Sequence, residues 1–283
     1  MKVTYLDHMG DDLSVVNAAK VSFGKKSDWD RRLDHYSEDN DTGQWEAEGW
    51  EFWCDSTSGD VYRRLSDKDK SLIQFLARGC TTGEWENLMW DTVRMGCVVE
   101  RYDCHETIDD VGPLLNHIRR MPSHWSPFAH TAISLHLKMP IFVARQIMKH
   151  TTGIEYNEVS RRYVDSEPEF YEPKVWRKKA DNVKQGSSDE AMPDPDILDY
   201  IMESIENLYS DMIFEGYAPE QARMILPQSM YTEVIMTGNL YAIANLYNQR
   251  IDPHAQKETQ EIARQIGEIV EPLYPVSWAA LTE

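Results

Sequence analysis

The chain has 283 residues, a formal net charge of −19 at pH 7 and an apolar fraction of 41%. This length and apolar fraction suffice for one large domain or two ordinary domains with a buried core. The acidic balance excludes broad electrostatic binding to nucleic acid or to anionic membranes, because both need a basic surface, so any phosphate site must be local.

Cysteine usage and hydropathy indicate where such a chain works. Four cysteines are few for this length, and no N-terminal apolar stretch is typical of a signal peptide. We therefore expect a reducing, cytoplasmic setting. No segment approaches the run of about 18 apolar residues that a membrane helix needs. Cys97, Cys104 and His105 match no standard zinc-site spacing, and no metal is predicted.

The N-terminal part changes character after about 25 residues. Residues 1–23 predict a short strand, a turn around Gly10 and a helix that begins after Asp11 and Asp12, since acidic residues suit a helix N-terminus. Residues 25–69 are acidic and rich in tryptophan, which predicts a loop or a small lobe. The tryptophans argue against disorder, because disordered segments are poor in aromatic residues.

The clearest strand covers residues 131–139, where apolar and polar positions alternate. Its predicted apolar face comprises Ile133, Leu135, Leu137 and Met139. Pro140 suits the first turn of a helix over residues 140–150, which Gly153 would end. Three polar residues would share one face of that helix, namely Gln146, Lys149 and His150.

The C-terminal half predicts mostly helix. Asp194 and Pro195 fit the N-cap and first position of a long helix. Its apolar stripe, which we expect to pack in the core, comprises Ile197, Tyr200, Ile201, Ile205, Leu208 and Met212. Further helices are predicted over residues 219–226, 238–250 and 253–273.

The signatures of the common nucleotide-binding loops and of zinc proteases are absent from the sequence. The segment YNEVSRRYVD, residues 156–165, instead concentrates Glu158, Ser160, Arg161 and Arg162. Arginines pair bidentately with phosphate oxygens, so this segment could cradle a small polar anion. Ordinary surface salt bridges are the alternative.

Four clusters of residues, at 123–130, 144–163, 222–232 and 239–256, together resemble the flavin-dependent thymidylate synthase family. The segment NEVSRRY reproduces the second half of that family's signature. The resemblance implies an α+β fold, a mixed β-sheet flanked by helices, and a homotetramer whose active sites are shared among subunits. We expect residues 1–283 to form one such domain, with family-atypical inserted segments at about 25–69 and 80–122.

The resemblance also implies a reaction, the reductive methylation of dUMP to dTMP. Methylenetetrahydrofolate would supply the carbon and NADPH would reduce a bound FAD. Residues matching the family's dUMP contacts are Gln146, Lys149, Glu158, Ser160, Arg161, Arg162, Arg223 and Arg250. The family's match to Arg250 faces the uracil and favours ionisation at N3, as a fixed cation stabilises an anion. Arg250 would lie at the end of one predicted helix, just before Asp252 and Pro253 start the next. Its alternative role is to cap a helix by bonding the free carbonyls at the helix end.

The flavin contacts implied by the resemblance are Ser126, Lys149, His150, Glu158, Asn239, Asn245 and His254. None of the four cysteines lies in these segments, so no cysteine nucleophile is predicted. The flavin would carry the redox chemistry instead.

One departure from the family pattern concerns the Arg-His-Arg motif. The family's Arg-His-Arg is replaced by Lys149, His150 and Thr151, which removes both bidentate forks and one of the two charges. That change motivates an alternative, flavin-dependent hydroxymethylation of a pyrimidine nucleotide at C5. A second alternative is an inactive relative that serves as an acidic binding or scaffold protein.

Overall fold

The computed structural model describes residues 1–29, 53–54, 61–62, 65–78, 124–164, 166–180 and 186–282. The chain divides into two compact units, one formed by residues 1–9 with 131–283 and the other by residues 10–130. The inserted segment at 80–122 and most of the segment at 25–69 lie outside the described residues, as do Cys97, Cys104 and His105. The single-domain organisation therefore stays a prediction.

The elements within the described ranges are as follows. The strands are β1 (Lys2–Met9), β2 (Trp53–Cys54), β3 (Val61–Tyr62), β4 (Ala132–Pro140), β5 (Ile154–Glu158), β6 (Trp176–Lys179), β7 (Ser187–Met192) and β8 (Tyr231–Gly238). The α-helices are α1 (Asp12–Lys20), α2 (Asp67–Arg78), α3 (Ile141–Ile147), α4 (Leu198–Phe214), α5 (Pro219–Ala222), α6 (Leu240–Arg250), α7 (Lys257–Val270) and α8 (Pro275–Thr282). Short 3-10 helices cover Val21–Phe23, Ser126–His130 and Arg223–Ile225.

The larger unit is built on a four-stranded sheet in the order β1-β4-β8-β5. Each neighbouring pair is antiparallel, so the sheet is not mixed in direction. The alternation predicted for β4 is confirmed, because Ile133, Leu135, Leu137 and Met139 are all 0% exposed. Helices pack against this sheet, which confirms the α+β class.

Two C-terminal helices complete the core beside the sheet. Helix α6 buries Leu240, Ile243 and Leu246, and α7 buries apolar residues such as Ile262 and Ile266. Their spacing of three or four residues places each set on one side of its helix. Asn239 fixes the start of α6, because its Oδ1 accepts a hydrogen bond from the Ala242 N–H at 2.9 Å.

The predicted start of the last long helix is wrong. Helix α7 begins at Lys257 with Gln256 as its N-cap, not at Asp252 and Pro253. The Asp252 carboxylate accepts from the His254 N–H at 2.7 Å and contacts the His254 ring at 2.9 Å. This local bonding stabilises a turn in competition with the helix, so no helix N-terminus lies directly after Arg250.

The predicted core stripe of α4 is also wrong. Ile197, Tyr200 and Leu208 are 63%, 73% and 51% exposed, whereas Tyr209, outside the stripe, is 1% exposed. The helix begins at Leu198, three residues after the predicted Pro195. Hydrophobic periodicity identifies an apolar face but not whether the same chain covers it.

The smaller unit contains the predicted N-terminal helix. Helix α1 starts at the N-cap Asp11, whose carboxylate accepts from the Ser14 N–H at 2.8 Å, as the acidic pair predicts. Lys20 forms an ion pair with Asp69, which is 2% exposed. Burial raises the pKa of Asp69, but hydrogen bonds from Lys20 and nearby serines outweigh it and lower the pKa overall. This polar network joins α1 to α2.

Neither a membrane-spanning helix nor a metal-binding cluster is found within the described ranges. None of the helices there combines the length and the apolar character that crossing a membrane requires. No group of three His, Cys, Asp or Glu side chains is arranged there to hold a metal ion.

Candidate active site

A cavity of 720 Å³ lies beside the end of β5, and we call it the arginine pocket. Its lining includes the predicted anion-binding residues Glu158, Ser160, Arg161, Arg162 and Arg223. The antiparallel pairing of β5 with β8 brings the YNEVSRRY segment here, and a turn follows in which the Tyr163 N–H donates to the Ser160 carbonyl at 3.0 Å. Arg223 arrives from the 3-10 helix after α5, about sixty residues further along the chain.

The three arginines of the pocket are held differently. Arg161 donates to the backbone carbonyls of Ser166 and Glu167, and its guanidinium lies 6.0 Å from the centre of the Tyr209 ring. It therefore fastens the loop. Neither Arg162 nor Arg223 forms an ion pair with a carboxylate of the described residues. Their guanidinium groups are the cations in this pocket that remain available for an incoming anion.

Several carboxylates of the pocket are already engaged. Glu158 accepts from the Thr232 hydroxyl at 2.8 Å. Glu169 pairs with Lys138, and this hydrogen bond raises the pKa of the Lys138 ammonium. Glu233 contacts the His136 ring at 2.9 Å. These partners offset part of the negative potential that would otherwise oppose an anion.

A second cluster forms where α6 ends beside the end of α3. Arg250 donates from Nε to His150 Nε2 at 2.9 Å and from Nη2 to the Gln146 carbonyl at 2.9 Å. Helix α3 ends at Ile147, earlier than predicted, so His150 lies in the turn beyond it. Burial lowers the pKa of His150, and the nearby Arg250 charge lowers it further. The pKa of Arg250 is itself lowered by burial, against a weaker opposing effect of Tyr156.

Neighbouring hydrogen bonds hold this cluster in place. The Tyr156 hydroxyl shares its single proton between the carbonyls of Ile147 and His150, at 3.1 and 2.9 Å. Burial raises the pKa of Tyr156 far above its usual value, so the hydroxyl remains a donor. Gln146 Nε2 donates to Gln256 Oε1 at 2.6 Å. Together these bonds fix the turn on which Arg250 rests.

The turn after His150 lies against the start of α6. The Asn239 N–H donates to the Gly153 carbonyl at 3.1 Å. Gly153 has φ +74°, and a Cβ there would lie 2.7 Å from Asn239 Nδ2 and 3.1 Å from Ala242 Cβ. The close approach requires glycine. It packs the turn against the start of α6, where the Leu240 N–H donates to Thr131 Oγ1 at 2.9 Å and the Ala242 N–H is capped by Asn239.

The predicted residues do not all meet within one chain. Gln146, His150 and Arg250 form the second cluster and do not line the arginine pocket. Asn245 and Lys149 are exposed, and His254 is exposed beside Asp252. Ser126 lies in the 3-10 helix of the smaller unit.

Sequence reasoning missed two residues that organise these clusters. Tyr156 and Gln256 were not singled out, although both flank residues of the predicted site. Their roles depend on contacts across 6 to 110 positions of the chain, which periodicity does not reveal. The only local signal was the placement of Tyr156 next to Asn157 in a strand that pairs with β8.

The family model described as thymidylate synthase complementing protein matches residues 4–276. The chain belongs to this family. Membership confirms the resemblance drawn from the four clusters. The matched range also includes the residues of both the arginine pocket and the Arg250 cluster.

Several curated proteins named flavin-dependent thymidylate synthase are similar to this chain in sequence. A flavin-dependent thymidylate synthase of Thermus thermophilus is 36% identical over 181 residues, which are 63% of this chain and 66% of that enzyme, just under two thirds. The enzyme of Thermosipho africanus is 39% identical over 162 residues, 56% of this chain and 71% of that enzyme. The enzyme of Pseudothermotoga lettingae is 25% identical over 273 residues, which are 96% of this chain and 86% of that enzyme.

Solved structures with the same fold include the UMP/dUMP methylase PolB from Streptomyces cacaoi. Its structure bound with 5-Br dUMP is 22% identical, with a TM-score of 0.58 over 99% of this chain and 94% of that chain. Its structure bound with 5-Br UMP is 20% identical, with a TM-score of 0.61 over 99% of this chain and 93% of that chain. At this identity the likeness shows the fold alone, and it confirms the α+β prediction.

Proposed function

We propose that this chain catalyses the reductive methylation of dUMP to dTMP, with a bound FAD, methylenetetrahydrofolate as carbon donor and NADPH as reductant. One observation carries the proposal within the family. Arg162 and Arg223, from distant parts of the chain, line one pocket without a carboxylate partner among the described residues. A nucleoside monophosphate is the ligand class that such a pocket suits, because its phosphate carries between one and two negative charges.

The phosphate-binding step is assigned to the arginine pocket. The guanidinium groups of Arg162 and Arg223 would donate to phosphate oxygens, with the Ser160 hydroxyl beside them. Arg162 Nε lies 3.2 Å from Ser160 Oγ, so a phosphate could take donors from both side chains. Arg161 would contribute indirectly, since its own donors already hold the loop at Ser166 and Glu167.

Activation of the base is assigned to Arg250. The capping alternative is partly right, since Nη2 does bond the Gln146 carbonyl at the end of α3. Two of the three guanidinium nitrogens have partners, and Nη1 has none within the described residues. That nitrogen can face a ligand. A fixed cation there would stabilise the N3-ionised form of uracil and raise the electron density at C5.

The flavin site is assigned to the turn after His150 and the start of α6. The close packing of Gly153 against Asn239 sets the position of the Asn239 side chain, which is one of the flavin contacts that the family match implies. The remaining contacts are proposed from the family match, namely Ser126, Lys149, His150, Glu158, Asn245 and His254. The flavin, when bound, supplies the redox chemistry between NADPH and the transferred carbon.

Assembly as a homotetramer in the cytoplasm is also proposed. The arginine pocket and the Arg250 cluster hold complementary parts of the nucleotide site but do not share a cavity. A second copy could bring one cluster to the other. The apolar face of α4 supports assembly, since Tyr200 and Phe214 are 73% and 92% exposed.

The test is release of tritium from dUMP labelled at C5, measured with the purified protein, methylenetetrahydrofolate, NADPH and FAD. We expect release that requires all three additions. No release, with no flavin bound to the purified protein, would favour the acidic scaffold.

Hydroxymethylation is kept as the second candidate function. The Lys149-His150-Thr151 motif motivates it, since both Lys149 and Thr151 are exposed and either could alter how the folate or flavin binds. The product distinguishes the two reactions. Mass spectrometry of the nucleotide separates a methyl group from a hydroxymethyl group.

A further inference from the structure

The contact between Arg250 and His150 restricts the protonation state of the histidine. The Arg250 Nε–H points to His150 Nε2 at 2.9 Å. An arginine is always protonated in proteins and has no acceptor, so His150 Nε2 must supply the lone pair. The imidazole is therefore neutral and carries its proton on Nδ1.

We propose that His150 is a positioning residue that orients the Arg250 guanidinium toward the pyrimidine while its imidazole is neutral, and releases it when the imidazole is protonated. The inference rests on the proposed function only in that Arg250 acts on the pyrimidine. The second bond of Arg250, to the Gln146 carbonyl, fixes one more corner of the guanidinium. With only that bond left, the group could rotate about it. Misplacement of a catalytic group by about 1 Å can cost about a hundredfold in rate.

The groups that face His150 favour the neutral form. Arg250 approaches from α6 with a positive charge. Tyr156 approaches from β5 and donates to the His150 carbonyl at 2.9 Å, and Lys149 precedes His150 in the same turn. No carboxylate of the described residues forms an ion pair with His150. Nothing among them stabilises the imidazolium.

The direction of the pH effect follows. Burial and Arg250 lower the pKa of His150 below its ordinary value of 6.5. The Arg250–His150 bond is therefore intact above pH 6.5 and is lost as the pH falls through the lowered pKa. The stability that this bond gives the fold disappears over the same acidic range.

The kinetic test compares two variants of the flavin-loaded enzyme. His150→Gln keeps an acceptor at about the position of Nε2 but does not titrate, whereas His150→Leu removes the acceptor. We expect His150→Gln to shift the acidic fall of kcat to lower pH relative to its own value at neutral pH, because Gln does not titrate. We expect His150→Leu to lower kcat by about ten- to a hundredfold, with a smaller change in the KM for dUMP. Rates are expressed per bound flavin.

Two kinetic outcomes overturn the inference. One is a His150→Gln variant whose acidic fall coincides with that of the unsubstituted enzyme. The other is a His150→Leu variant with unchanged kcat. A purely structural role for His150 would lower kcat in both variants without moving the acidic fall in His150→Gln.

A readout without turnover keeps the inference testable if the variants lose flavin. The titration of His150 can be followed by NMR among the nine histidines and assigned by its loss in His150→Gln. Arg250→Met should raise the pKa of His150 toward 6.5. The matched control Arg145→Met removes an exposed charge from α3 and should leave the titration unchanged. An unchanged pKa in Arg250→Met refutes the contact even if the enzyme makes dTMP, whereas failure of the unsubstituted enzyme to make dTMP refutes only the proposed function.

Discussion

Removal of either available arginine of the arginine pocket should weaken dUMP binding through its phosphate alone. Arg162→Ala and Arg223→Ala would each delete a charge-assisted hydrogen bond, which contributes about 1.5 to 3 kcal/mol. That free energy corresponds to a rise in Kd of about ten- to a hundredfold. Both side chains are exposed and solvent screens their charges. We therefore expect the rise in Kd for each single variant to lie toward the lower end of that range.

Titration calorimetry with two ligands isolates the phosphate contribution. The Kd for dUMP should rise in both variants, and the Kd for deoxyuridine, which lacks the phosphate, should not. Arg145→Ala serves as the matched control, because Arg145 is exposed on α3 and does not line the pocket. Unchanged dUMP affinity in both variants, or an equal loss for deoxyuridine, would refute the phosphate assignment.

Three further predictions concern the base, the cofactor and the core. Arg250→Ala should abolish tritium release while the flavin stays bound. Arg250→Lys should recover part of the release if the charge matters more than the geometry of the guanidinium. Near-normal release in Arg250→Ala would mean that Arg250 only caps a helix. Gly153→Ala should lower the flavin absorbance per protein, because its Cβ would lie 2.7 Å from Asn239 Nδ2 at φ +74°. Gly216→Ala, at φ +88° with open space around it, is the control for backbone strain alone, and equal flavin content in the two variants would count against the assigned flavin site. Leu137→Ala should cost about 2 to 5 kcal/mol of unfolding free energy in urea, since Leu137 is 0% exposed, and a loss near zero would contradict its place in the core.

The sequence predicted those elements whose pattern is local. The alternation in β4 and the start of α1 at the acidic pair Asp11 and Asp12 each depend on neighbouring residues. The later start of α7 escaped prediction because the Asp252 side chain bonds the backbone of His254 instead of capping a helix. The exposure of α4 escaped for another reason, since an apolar stripe does not identify its partner.

The candidate site was predictable only as a set of residues. The family resemblance named Arg162, Arg223 and Arg250, and the structure places the first two in one cavity and the third elsewhere. Which donors are already occupied depends on contacts between distant segments. The bond from Arg250 to His150 spans 100 positions, and the loop contacts that occupy Arg161 arise only once the turn has folded.

The identity of the nucleotide product is the decisive test of the proposed methylation of dUMP. The purified protein is incubated with dUMP, methylenetetrahydrofolate, NADPH and FAD, and the nucleotide is analysed by mass spectrometry against a reaction that lacks NADPH. We expect dTMP, formed only when NADPH is present. A hydroxymethylated nucleotide, or unchanged dUMP from protein that has bound its flavin, would contradict it.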